Sequence, residues 1–138
     1  MPQIQSNGVS LEVETIGNSD NPAVLLVMGL GAQMTAWPDD FCQQLCERGY
    51  FVIRFDNRDV GLSTWFDEIG EPNMNRTYLS HLFGRKIKSP YSLSDMADDA
   101  VGILDSLGVE KVHLIGASMG GMIAQRLALN HPERVMSL

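Results

Sequence analysis

The sequence predicts an α/β fold in which a mostly parallel sheet, preceded by an N-terminal antiparallel hairpin, carries helices on both faces. Three observations predict it. An alternating strand with a turn signal opens the chain, continuous apolar runs of strand length follow, and segments of helical periodicity stand between those runs.

The elements follow in order. Asn7-Gly8 is a tight-turn dipeptide, and Ser10 to Ile16 alternates apolar and polar residues, which predicts a half-exposed antiparallel strand with Ile4 in its hairpin partner. After the loop from Gly17 to Pro22, the run Ala23-Val24-Leu25-Leu26-Val27-Met28 has the composition of a central parallel strand buried on both faces. Trp37, Phe41 and Leu45 recur at four-residue spacing, so a helix is expected from Pro38 to Arg48, stopped by Gly49. Tyr50 to Phe55 reads as a second buried strand. Residues 64–91 are polar and irregular, with a short helix expected around Tyr78 to Phe83; the stretch exceeds the roughly 15 residues beyond which a loop calls for a functional explanation. Ser92 and Asp95 form a capping-box pattern, and Met96, Ala100, Ile103, Leu104 and Leu107 trace one helical face until Gly108. Lys111 to Gly116 is the next strand and Met122 to Asn130 the next helix, ended by His131-Pro132. Val135 to Leu138 reads as a strand beginning.

Composition narrows the function. The chain has 138 residues, 44% hydrophobic and 20% charged, as expected for one compact domain over residues 1–138. The longest apolar run, Ala23 to Met28, falls far short of the roughly 18 residues of a membrane span, and the N-terminus lacks an export signal, so a cytoplasmic location is expected. A net charge of −7 with scattered acidic residues disfavours nucleic acid and anionic membranes as partners. Cys42 and Cys46 are read as packing residues. No histidine stands beside them, so neither a metal nor a cofactor is expected.

The chemistry is carried by Gly116-Ala117-Ser118-Met119-Gly120, a G-x-S-x-G pentapeptide. Alone the pattern is weak; directly after a buried strand and before a helix it has the strand-turn-helix setting of a nucleophile elbow. So sharp a turn crowds the positions two before and two after the serine, which calls for glycine at both, and Gly121 is expected to let the helix pack closely. Ser118 is the candidate nucleophile. Its backbone is expected to be strained, a cost on the order of 1–3 kcal/mol, and the helix N-terminus behind it favours a developing oxyanion. The loop Met28-Gly29-Leu30-Gly31 offers a second donor, so the expected oxyanion hole is the backbone N–H of Leu30 and of Met119.

The order of four segments carries a family resemblance: Met28 to Gly31, Phe55-Asp56-Asn57-Arg58-Asp59-Val60-Gly61-Leu62-Ser63, the elbow, and His131-Pro132-Glu133-Arg134-Val135. The chain resembles the N-terminal half of an α/β-hydrolase along essentially its whole length. Within that superfamily the Gly-Leu-Gly-Ala-Gln loop, Trp37-Pro38 and the Asp-Asn-Arg-Asp segment are most similar to bacterial esterases related to aclacinomycin methylesterase. Met28 departs from the histidine that many members carry, which leaves backbone donors unaffected.

The resemblance implies an α/β-hydrolase fold truncated before the sixth strand and the lid, and a triad order of serine, acid, histidine with both partners downstream of Ser118. None of the three histidines fits the base: His113 lies within a strand, His131 at the far end of the elbow helix, and His81 in the long loop. Arg58 and Asp59 are read as structural ion-pair and turn residues, and Asp98 and Asp99 as solvated or salt-bridged carboxylates away from the helix's apolar face. The implied function is a carboxylic-ester hydrolase acting through a Ser118 acyl-enzyme on a small-molecule ester, inactive as this chain alone. The alternative is a non-catalytic fragment serving as a binding or assembly module, because the strand before the elbow would be an open edge. The expected macromolecular partners are a second chain or segment that completes the fold, or another copy joined through that edge. Related serine enzymes also cleave amides or carbon-carbon bonds or activate peroxide.

Overall fold

Asn7 and Gly8 both take left-handed backbone, with φ of 49° and 79°, and close a two-residue hairpin between β1 (Gln3–Ser6) and β2 (Val9–Ile16). That conformation matches the twist of the paired strands, and Ile4 faces Leu11 across the hairpin as expected. The computed structural model describes residues 2–66, 73–86 and 89–138. Parts of the expected long loop, residues 67–72 and 87–88, lie outside the described residues.

The strands form one sheet in the order β1, β2, β4 (Phe51–Phe55), β3 (Ala23–Val27), β5 (Val112–Gly116) and β6 (Val135–Ser137). β2 runs antiparallel to β4; β4, β3, β5 and β6 are mutually parallel. This is the expected mixed sheet with an N-terminal antiparallel hairpin. Its centre is β3, every residue of which is buried.

Period-two alternation divides the core. Ala23, Leu25 and Val27 of β3 join Ile53 and Phe55 of β4 beneath α3 (Leu93–Ser106) and α4 (Met119–Asn130). Val24, Leu26 and Val52 face the other way and pack with Cys42, Phe41 and Leu45 of α1 (Asp39–Glu47). Helices therefore cover both faces. Cys42 is fully buried and Cys46 donates through Sγ to the Ile16 carbonyl, so both cysteines serve packing.

Local signals act where they were read. Gly49 and Gly108 take positive φ just past α1 and α3, and Ser92 with Asp95 forms the reciprocal capping box of α3. α2 (Met74–Leu82) embraces most of the helix expected within the polar stretch and leaves Tyr78, Leu79 and Leu82 exposed. α4 begins at Met119 rather than Met122, because the glycines after Ser118 form its first turn. The strand beginning at Val135 is present as the three-residue β6. β6 pairs with β5 only at Val112 and His113, so the open edge consists of β6 and the outer side of Leu114–Gly116 rather than the whole strand before the elbow.

Candidate active site

Ser118 sits between β5 and α4 with φ 54° and ψ −124°, a conformation that L-residues adopt only under constraint. It occupies the N-cap position of α4, yet its side chain makes no capping bond. Its hydroxyl makes no hydrogen bond among the described residues, and the residue is exposed. The turn is as crowded as the motif demands. A Cβ on Gly116 would stand 2.5 Å from the Gly120 carbonyl oxygen, and one on Gly120 would stand 2.0 Å from the Val27 carbonyl oxygen. Gly121 differs from its expected role: a Cβ there would meet nothing closer than Gly116 O at 3.5 Å, an ordinary contact.

The first turn of α4 sorts its amides. Gly120 N–H donates to Ala117 O at 2.8 Å and Gly121 N–H to Ser118 O at 2.9 Å. Met119 N–H has no partner among the described residues, as expected for the first helical position, and it adjoins the serine at the positive end of the helix dipole. The loop after β3 approaches from the other side. Gly29 is buried against the serine, where an added Cβ would lie 3.0 Å from Ser118 Cβ. Leu30 N–H is likewise without a partner among the described residues, and its side chain is 81% exposed. The N–H groups of Leu30 and Met119 are thus both without a partner among the described residues, one directly after the glycine that lies against Ser118 and the other directly after Ser118 itself.

The segment after β4 holds this loop, a role that sequence reasoning missed. Asn57 Nδ2 donates to Met28 O at 2.9 Å, and Asp56 Oδ1 accepts from Met34 N–H at 2.7 Å. The only local hint was a polar cluster following directly on a buried strand. Arg58 makes a two-pronged pair with Asp99, Nε to Oδ2 at 2.7 Å and Nη2 to Oδ1 at 2.6 Å, and lies over the rings of Phe66 and Tyr91. Asp99 is thus salt-bridged as expected but not on an outward face: it is 2% exposed, in line with Met96 and Ile103. Burial opposes the Arg58 charge most strongly, but hydrogen bonding to Asp99, its Coulombic attraction and those of Asp95 and Tyr91 together outweigh it and hold the guanidinium protonated. Asp59, with φ 60°, accepts from Phe66 N–H and from the Tyr91 hydroxyl; burial and that bond push Tyr91 up to about 12. These residues pin the post-β4 loop to α3.

His113 and His131 lie away from the elbow. His113 Nδ1 bonds to Ser137 Oγ at 2.7 Å in the first half of β5, and five residues of strand place it about 16 Å along the sheet from Ser118. His131 Nε2 bonds to Asp98 Oδ1 at 2.9 Å past the end of α4, about 20 Å from the serine along the helix. His81 is exposed in the last turn of α2. An open cleft of about 790 Å³ adjoins the donor loop, lined by Gly31, Gln33, Thr35, Asp59, Gly61 and Trp65 among others. No helix among the described residues is long and apolar enough to cross a membrane, and no group of three or more His, Cys, Asp or Glu residues among them is placed to hold a metal ion.

Comparison with known proteins agrees with this geometry. The chain is 35% identical over 135 residues to the rhodomycin D methylesterase DauP of Streptomyces sp. (strain C5), covering 98% of this chain and 39% of that protein. It superposes on a carboxylesterase of Nitrososphaera gargenis with a TM-score of 0.76 at 25% identity, covering 97% of this chain and 42% of the other. Epoxide hydrolase A of Mycobacterium thermoresistibile superposes with a TM-score of 0.75 at 26% identity, over 97% of this chain and 36% of the other. The chain thus spans about two fifths of the length of the curated relatives it matches. The sheet order, the elbow between β5 and α4 and a family match over residues 22–138 lead to one assignment: the chain belongs to the alpha/beta hydrolase fold family.

Proposed function

We propose that this chain carries the nucleophile and oxyanion donors of a serine hydrolase acting on carboxylic esters. The observation behind this reading is the state of Ser118. A serine kept to cap a helix has extended backbone and uses its hydroxyl on the helix amides, whereas Ser118 is left-handed, exposed and uncommitted. In the reaction, Oγ attacks the ester carbonyl as its proton passes to a histidine base. The carbonyl electrons move onto oxygen, and the resulting oxyanion accepts hydrogen bonds from Leu30 N–H and Met119 N–H. Collapse expels the alkoxide, which takes the proton from the histidine and leaves as alcohol; water then attacks the acyl-enzyme by the same route and releases the acid. Each donor contributes about 10²–10³ in rate.

In this reading the histidine and its acid come from polypeptide outside residues 1–138, and the chain alone is inactive. Two observations support that: His113 and His131 already have partners far from the elbow, and the relatives are more than twice as long. Ester substrates are favoured by the esterase names among the similar proteins. The test is labelling by a fluorophosphonate of the complete protein, as one polypeptide or as two associated chains. The expected adduct is on Ser118 and is lost in Ser118→Ala. A folded complete protein without an adduct would sink the reading.

The binding or assembly module has its own support in the short β6, the uncovered side of Leu114–Gly116 and the exposed Met122, Leu129, Met136 and Leu138. It gains if the complete protein resists labelling while the isolated chain associates with another polypeptide or itself in sedimentation.

A further inference from the structure

We propose that Asn57 is a positioning residue of the oxyanion site, whose side-chain amide holds the Met28 carbonyl and thereby aims the Leu30 N–H at the carbonyl oxygen of a substrate over Ser118. The inference rests on the reading of Leu30 as a donor. Asn57 is 2% exposed, and its Nδ2 lies 2.9 Å from Met28 O. Peptide units are planar, so the Met28 carbonyl and the Leu30 N–H are separated by only two soft torsions, φ and ψ of Gly29. Glycine is the residue least able to hold those torsions by itself. A stiffer residue at Gly29 would crowd the nucleophile, because an added Cβ would stand 3.0 Å from Ser118 Cβ and 3.2 Å from Ala117 O. Inside the loop a long bond, Ala32 N–H to Gly29 O at 3.4 Å, touches the peptide that bears the Leu30 N–H, while from outside Asn57 grips the peptide unit preceding Gly29 with a shorter one.

The far end of the loop is held in the same way. Asp56 is 3% exposed; its Oδ1 accepts from Met34 N–H and its own N–H donates to Glu12 O in β2. The brace is therefore tied into the sheet at both β2 and β4. Met28 O also faces the elbow, since a Cβ on Gly120 would come within 2.8 Å of it. Loss of the Asn57 bond frees the Met28 peptide to turn and carries the Leu30 N–H off line while leaving Ser118 in place.

The test uses the complete enzyme with Asn57→Ala and the nearly isosteric Asn57→Asp. We expect kcat to fall about tenfold to a hundredfold with KM changed less than about threefold, since a small misplacement of a catalytic group has that effect. A boronate that mimics the tetrahedral intermediate should lose affinity by the same factor as kcat/KM, and the product acid should not. For Asn57→Asp, the ratio of variant to parent kcat should rise as pH falls, because a protonated carboxyl donates to Met28 O and a carboxylate cannot. Ser92→Ala, a destabilising change at the α3 cap, should leave kcat unaltered. Should Asn57→Ala fail to fold, Asn57→Asp decides. Unchanged kcat, or a loss that is independent of pH and shared equally by boronate and product, overturns the proposal. Ser118→Ala separates the two levels: activity surviving in Ser118→Ala removes the nucleophile reading and this inference with it, whereas an inactive Ser118→Ala beside fully active Asn57 variants removes the inference alone.

Discussion

Gly120 and Gly121 are consecutive residues of one helical turn, and substitution by alanine should have opposite effects at the two. At Gly120 the new Cβ would stand 2.0 Å from Val27 O, 2.6 Å from Val27 C and 2.8 Å from Met28 O, all backbone atoms that no side-chain rotation can move. Relief requires the start of α4 to retreat by about 1 Å, which strains the 3.0 Å bond from Ala117 N–H to Val27 O. Overpacking costs about 1–3 kcal/mol and the weakened buried hydrogen bond about 1 kcal/mol more, against about 1 kcal/mol gained from the helix preference of alanine. The net expectation is a loss of about 2 kcal/mol. At Gly121 the nearest atom is Gly116 O at 3.5 Å, so the helix preference stands alone and Gly121→Ala should gain about 0.5–1 kcal/mol. Urea unfolding followed by circular dichroism, with m-values checked for equality, measures both. Equal destabilisation by the two substitutions, or a Gly120→Ala variant as stable as the parent, would refute the claim that close approach of the elbow to β3 is what requires glycine.

Two further predictions concern the network behind the site. Arg58→Met leaves Asp99 buried without its cation and should cost about 3–5 kcal/mol, and pairing it with Asp99→Leu should restore much of the loss in a double-mutant cycle; additive losses would show that the pair does not act as a unit. Tyr91 is held protonated up to about 12, so its contribution to stability is fully present below the unfolded value near 10 and is lost as pH rises from there through 12. In an ultraviolet titration Tyr91 should ionise near 12, and Asp59→Asn, which removes the carboxylate, should bring it down; an unshifted Tyr91 midpoint would exclude Asp59 as a cause.

Short-range signals were legible because their physics is short-range. Asn7-Gly8 makes its turn whatever lies beyond it, Ser92 and Asp95 cap α3 with bonds three residues apart, and the elbow glycines are called for by the reversal of the chain at Ser118 itself. The period-two and four-residue apolar patterns located strands and helices for the same reason. The boundary of α4 was misread by three residues because a glycine pair reads as a breaker until the fold shows that it starts a helix.

The sequence by itself determined the class of fold and the strained turn at Ser118. Only the tertiary structure decided that β3 lies between β4 and β5, that Asp99 turns inward to meet Arg58 41 residues away, and that Asn57 reaches 29 residues back to the Met28 carbonyl. Those pairings depend on which surfaces the sheet brings into register, and a polar residue next to a buried strand carries no local sign of whether its partner is water or the backbone of a distant loop. The serine's conformation follows from its immediate neighbours, whereas the anchoring of the Met28 carbonyl opposite it depends on a contact that only the folded sheet creates.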